Sequence, residues 1–249
     1  MAAVAVFAGS GFLFSGVSLG DLPQPVAMGL ICSAAGWRAL LMTLGAILGY
    51  PTFWGSAGNI GIVWSLAGGV LAIMVGRRQE SREQPLMIPG IASFLTVVTG
   101  LGFRFLLKQP ISLLQLPVHA SLALFSGILF TQAARCRDAV TDWLVAGVSV
   151  LALAERTLGQ LMLGPLAAGI LAVGAAFPAA ALGGLALDLS SLTRVPMTAV
   201  MCFAYFLRMI PFDRRWKRCA VPAAAYLLVS TACSIRDPTP LLGLALGVP

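Results

Sequence analysis

Charge is what this chain has least of. Only 10% of its 249 residues are Asp, Glu, Lys or Arg, where a soluble domain carries about a quarter. A water-facing surface cannot be built from so few. There is one histidine, His119. The five cysteines (Cys32, Cys136, Cys202, Cys219, Cys233) are odd in number, scattered and without a C-x-x-C pair. That argues against a disulfide framework and a cysteine metal site, and leaves cysteine as a small apolar residue. No G-x-S-x-G, no phosphate-cradling G-x-x-x-x-G-K-[ST] and no H-E-x-x-H occurs, so hydrolytic, nucleotide-binding and zinc-peptidase chemistry have no motif to stand on. No cofactor and no metal are expected.

What fills the chain instead is apolar, at 59% of residues and a mean hydropathy of +0.93. Ala39 to Gly76 is free of charge over 38 positions, and Thr157 to Leu187 over 31. At about 1.5 Å per residue against a hydrocarbon core of roughly 30 Å, the first run is long enough for two helices. Stretches such as Gly164–Leu187 do not alternate in polarity, which excludes barrel strands and leaves helices as the way to satisfy the backbone in lipid. The expected fold is all-α: a polytopic transmembrane bundle of about ten spans, within eight to twelve, several of them short or broken. It forms a single multi-span domain over residues 1–249. The abrupt apolar ends, Ala2–Leu19 with no basic residue before it and Leu241–Val248 after Pro238-Thr-Pro240, predict a fragment of a longer chain.

The net charge is +7. Its basic residues sit in short loops, as topogenic charge does, and not in an aromatic-interleaved patch of the kind that binds nucleic acid. The lipid bilayer is therefore the expected partner. The spans are predicted at Ala2–Leu19, Pro25–Tyr50 (split near Gly36-Trp37-Arg38, because mid-span Arg is costly), Ile60–Gly76, Leu86–Leu107, Ile111–Thr131, Trp143–Ala154, Leu161–Leu187 (split at Pro178), Pro196–Phe212 and Cys219–Ile235. Pro51–Asn59 is predicted as a turn-rich connector with Trp54 as an interfacial anchor. Arg38, Arg77–Gln84, Arg135/Arg137 and Asp213–Arg218 then share the cytoplasmic side of a bacterial plasma membrane. A weak internal echo pairs Pro25–Ile31 with Pro165–Leu171, and broken helices at matching places would mark a transporter.

Small residues three apart occur at Gly16/Gly20, Gly45/Gly49, Ser65/Gly69 and Ala180/Gly184. Such spacing lets helix backbones approach closely in lipid. They are candidate packing positions within the chain, with self-association as the sharper alternative. His119 reads as a hydrogen-bonded packing group, with proton relay as the alternative. Arg208 reads as snorkelling toward Asp213, with a buried functional role as the alternative. Asp188 and Arg194 read as a loop ion pair.

Two stretches carry a resemblance: Gly29–Trp64 (GLICSAAGWRALLMTLGAILGYPTFWGSAGNIGIVW) and Arg194–Arg218 (RVPMTAVMCFAYFLRMIPFDRRWKR). Both resemble the N-terminal membrane portion of stage II sporulation protein E. The resemblance implies about ten spans that anchor a cytosolic PP2C-type phosphatase at the sporulation septum, contact with the cell-division ring, and self-association. The phosphatase and its metal-binding aspartates are absent from these 249 residues, so no catalytic residue carries over. The function expected is a non-catalytic anchoring and assembly module. The rival is a small-molecule transporter with a midplane site between broken helices. An intramembrane enzyme is the third class.

Overall fold

The computed structural model describes residues 2–17, 22–76, 86–106, 112–135, 138–154, 156–158, 161–190, 196–209, 220–221 and 224–225. Among them the chain is all-helical apart from one two-residue bridge, Thr157–Leu158 against Leu161–Met162. Two compact units form, residues 1–138 and 139–249.

The first unit holds α1 (Ala2–Phe14), α2 (Val26–Ser33), α3 (Trp37–Trp54), α4 (Asn59–Gly76), α5 (Met87–Leu106) and α6 (Gln115–Arg135). The run Pro25–Tyr50 divides at Ala34-Ala35-Gly36, where Gly36 takes φ +61°. Only glycine enters that region without a steric penalty, so the break is written at this residue. Arg38 lies past the break, exposed on the first turn of α3.

The predicted connector Pro51–Asn59 is corrected. Helix α3 continues through Pro51 to Trp54, and a 3-10 turn, Gly55–Gly58, hands the chain to α4. Proline costs α3 one hydrogen bond, yet the helix survives it. What ends α3 is Gly55, at φ +55°, whose N–H donates to the Pro51 carbonyl. The indole Nε1 of Trp54 donates to the Ser15 carbonyl at 3.0 Å.

Contacts fix helix directions within this unit. Phe7 meets Trp37, Phe12 meets Phe53 and Ser15 meets Trp54, so α1 and α3 run parallel. Gly69 packs on Thr43 and Gly61 on Tyr50, making α3 and α4 antiparallel. Gly127 packs on Pro89 and Gly100 on Leu116, making α5 and α6 antiparallel. Trp64, Thr99 and His119 meet near the start of α4, the end of α5 and the start of α6. Arg38 and Arg135 thus lie at one end of the unit, together with the end of α4 and the start of α5.

Helix α2 is only eight residues long, and Val26 to Cys32 are all buried. It touches every other helix of the unit. In the second unit α7 (Ala139–Leu153), α8 (Leu163–Gly174), α9 (Phe177–Leu189) and α10 (Met197–Arg208) surround a core of Val150, Ala168, Leu187, Met197 and Met201. The echo places Pro25 directly before α2 and Pro165 in the first turn of α8.

The span count is coarser than expected. Three helical stretches are long and apolar enough to cross a membrane: Trp37–Met74, with the 3-10 turn inside it, Met87–Leu106 and Gln115–Arg135. Ala2–Phe14, Ala139–Leu153, Phe177–Leu189 and Met197–Leu207 are apolar but shorter. Thirteen residues rise only about 20 Å. About ten full spans is therefore not what the described residues display. The predicted span Cys219–Ile235, all but four residues of it, and the segments Arg77–Gln84, Asp213–Arg218 and Leu241–Val248 lie outside the described residues.

The α1–α3 seam rests on atoms with no room to spare. A Cβ added to Gly45 would overlap the Ala8 carbonyl, and one added to Gly49 would overlap the Ser15 hydroxyl. Gly45→Val should cost about 1–3 kcal/mol through overpacking, read as a lower midpoint of thermal unfolding in detergent. Leu44→Val, at an exposed position of the same helix, should leave the midpoint nearly unchanged.

Candidate functional site

Buried polar groups mark the places where an apolar bundle departs from packing alone, and most of these lie in the first unit. Ser15, Gln24, Thr43, Ser65, Thr96, His119 and Ser126 are all buried there. Hydroxyls solve the problem locally. Thr43, Ser65, Thr96 and Ser126 each donate to the carbonyl four residues back, at 2.6–2.8 Å. This satisfies the hydroxyl without a partner from another helix.

The remaining groups form a chain of contacts around Trp64, fully buried on α4. Its Nε1 donates to Thr99 Oγ1 on α5 at 2.9 Å, and Thr99 itself donates to the Leu95 and Thr96 carbonyls. The Trp64 ring meets Tyr50 of α3 edge-on, with centroids 6.4 Å apart, and His119 of α6 edge-on at 5.2 Å. Such T-shaped pairs set a ring edge against a ring face. The Tyr50 hydroxyl then donates to the Gln24 carbonyl at 2.7 Å, just ahead of α2. Thr96 adds a contact to the Met28 sulfur at 3.3 Å. The four long helices are thereby tied to one another and to the entry of α2.

His119 is 3% exposed, and its Nδ1 has no hydrogen-bond partner among the described residues. His119 packs against the Trp64 ring, while its Nδ1 makes no hydrogen bond among the described residues. A buried nitrogen without a partner costs about 1–3 kcal/mol.

The predicted small-residue positions fall as follows. Gly45 and Gly49 meet α1, Gly69 meets Thr43 of α3, and Gly184 meets the backbone of Thr198 on α10. Ser65 and Ala180 are buried. Gly16 sits in the turn after α1, donating its N–H to the Leu13 carbonyl. Gly20 lies outside the described residues. Arg208 closes α10; its side chain, like Arg194 and Asp213, is outside what is described. Cys32 and Cys202 are free thiols, and the other three cysteines fall outside the described residues.

Sequence reading missed the role of Asp188. Its Oδ1 accepts the Met197 N–H at 2.6 Å, while Oδ2 accepts the Thr198 N–H at 3.0 Å and the Thr198 hydroxyl at 2.5 Å. A carboxylate from the end of α9 thus caps the start of α10, where orphan N–H groups and the helix dipole favour negative charge. The signal was present as Pro196 at a helix start, but the capping group lay eight residues away.

Among the described residues no group of three or more His, Cys, Asp or Glu could hold a metal ion. Comparison with known protein families, with characterised proteins and with solved structures finds no match, so these comparisons add nothing to the resemblance drawn from sequence.

Trp64 is the centre of this cluster, which sets an order of effects. Trp64→Ala should cost about 3–5 kcal/mol as a buried aromatic truncation. Trp64→Phe should cost about 1 kcal/mol for the hydrogen bond to Thr99. His119→Phe, which removes an unpartnered nitrogen, should cost less than either. Thermal unfolding of the three variants in one detergent checks the order.

Proposed function

We propose that the chain is a multi-pass membrane module that works by anchoring and assembly, not by catalysis. In this reading about ten helices are embedded, three stretches of them at full membrane-crossing length. The observation that carries the reading is how α2 is held. A Cβ on Gly29 would overlap Ser126, Cys32 lies on the Gly68 carbonyl, and Met28 lies on Thr96. A short helix clamped by close backbone contacts suits a rigid platform.

The orientation is part of the proposal. Arg38 and Arg135 share one end of the first unit, and the positive-inside rule makes that end cytoplasmic. The remaining identity follows the resemblance to stage II sporulation protein E. The module would localise a cytosolic PP2C-type phosphatase at the sporulation septum, associate with itself and meet the cell-division ring.

One observation favours the rival transporter. A buried eight-residue helix, in a unit that also buries a histidine nitrogen with no hydrogen-bond partner among the described residues, is the kind of broken element around which midplane sites are built. Localisation separates the two. Fused to a fluorescent protein in a spore-forming bacterium, an anchoring module gathers at the asymmetric septum. An even distribution around the cell membrane would overturn the anchor and promote the transporter.

Orientation is checked separately, in a background with the five native cysteines replaced. Ser56→Cys, in the exposed 3-10 turn, should react with an impermeant thiol reagent in intact cells. Arg78→Cys and Arg215→Cys should react only after the membrane is opened; labelling of either from outside reverses the orientation.

A further inference from the structure

We propose that the start of α3 is a binding site for an anionic phospholipid, with Arg38 as its headgroup ligand and the outer face of α3 as the bed for its acyl chain. The inference rests on the membrane reading above and adds a ligand to it.

Arg38 is the first charged residue after Asp21 and the last before Arg77. It is exposed on the first turn of α3, and among the described residues no carboxylate pairs with it. Its guanidinium lies over the Phe7 ring, 5.5 Å from the centroid, and 6.0 Å from that of Trp37. Phe7 and Trp37 are themselves edge-to-face at 5.4 Å. A ring is held by the charge of the guanidinium and takes the place of no hydrogen-bond acceptor, so N–H donors remain for a ligand. Five donors in a planar fork match the oxygens of a phosphate. The group is held by α1 and α3 together, so it is placed in advance of binding.

An apolar stripe runs along α3 in line with Trp37, about a third of a turn round the helix from Arg38. Leu40, Leu44 and Leu48 succeed one another four residues apart, at 47%, 56% and 65% exposure, so they share one outward face. From Trp37 to Leu48 the helix rises about 16 Å, roughly half the hydrocarbon thickness. That is the depth of one leaflet, and so of one acyl chain whose phosphate sits beside Arg38. Exposed Trp37 (51%) supplies the amphipathic ring favoured at the headgroup level. A cytoplasmic Arg38 would face the leaflet that holds anionic lipid. A cation with no carboxylate partner among the described residues lies beside the Trp37 ring that heads a stripe of matching length, and an anionic phospholipid satisfies both.

The test uses the full chain purified in detergent and titrated with phosphatidylglycerol or phosphatidylcholine, bound lipid being counted by native mass spectrometry. Phosphatidylglycerol should bind about tenfold more tightly than phosphatidylcholine. Arg38→Gln should abolish that preference, and Arg135→Gln, which removes an exposed cation elsewhere, should keep it. Equal binding of the two lipids, a preference that survives Arg38→Gln, or an equal loss in Arg135→Gln overturns the site. Millimolar inorganic phosphate should not displace the lipid; displacement would mean a free-anion site and would also overturn it. Should Arg38→Gln fail to fold, phenylglyoxal modification of wild-type Arg38 replaces it. Phosphatidylglycerol should protect the residue and phosphatidylcholine should not, and absence of protection counts against the site. A chain that stays dispersed without detergent would fail the membrane reading itself, which the lipid comparison does not measure.

Discussion

The parallel contact of α1 with α3 is the constraint from which the first unit follows. Glycine at positions 45 and 49 brings the two backbones together, and the aromatic pairs at either end hold them in the same direction. Two parallel neighbours cannot be joined by a tight turn, so the chain must travel back between them. The chain between them makes that return, and α2 is a helix within it. A return path through the middle of a bundle has no outer face. This is why α2 is short, why Val26 to Cys32 are all buried, and why its neighbours present glycine, serine and threonine to it.

The same constraint explains the polar chemistry. In a buried interior a hydroxyl must find an acceptor, and for Thr43, Ser65, Thr96 and Ser126 it is the carbonyl four residues back on the same helix. Trp64 and Tyr50 are too large for that solution, so they reach across to Thr99 and to Gln24. Their hydrogen bonds consequently link helices, whereas those of Thr43 or Ser65 do not. The second unit meets the problem with charge: Asp188 occupies the N–H groups that begin α10.

Breaks were legible in sequence wherever a single residue type forces them. Gly36 and Pro178 mark the ends of helices because glycine admits a positive φ and proline suits a helix start. Helicity was legible from apolar runs that do not alternate. The number of crossings was not, since a run of apolar residues states that a segment avoids water without stating its depth. Pro51 misled for a related reason. Proline weakens a helix by one hydrogen bond, and packing on α1 and α4 outweighs that loss. Of the candidate positions, glycine spacing was readable as close approach. Asp188 and Trp64 were not readable, because their partners belong to other helices.

Helix α3 carries two vocabularies on one cylinder. On the outward face, Leu40, Leu44 and Leu48 could be exchanged for isoleucine, valine or phenylalanine with little consequence, since no neighbouring helix among the described residues constrains their shape. On the face toward α1, Gly45 and Gly49 admit no synonym, because even a methyl group would strike a carbonyl or a hydroxyl. The information that selects this fold is therefore concentrated in the residues with the least mass and the smallest hydropathy. Substitution tolerance at these positions of α3 should accordingly rise with side-chain size.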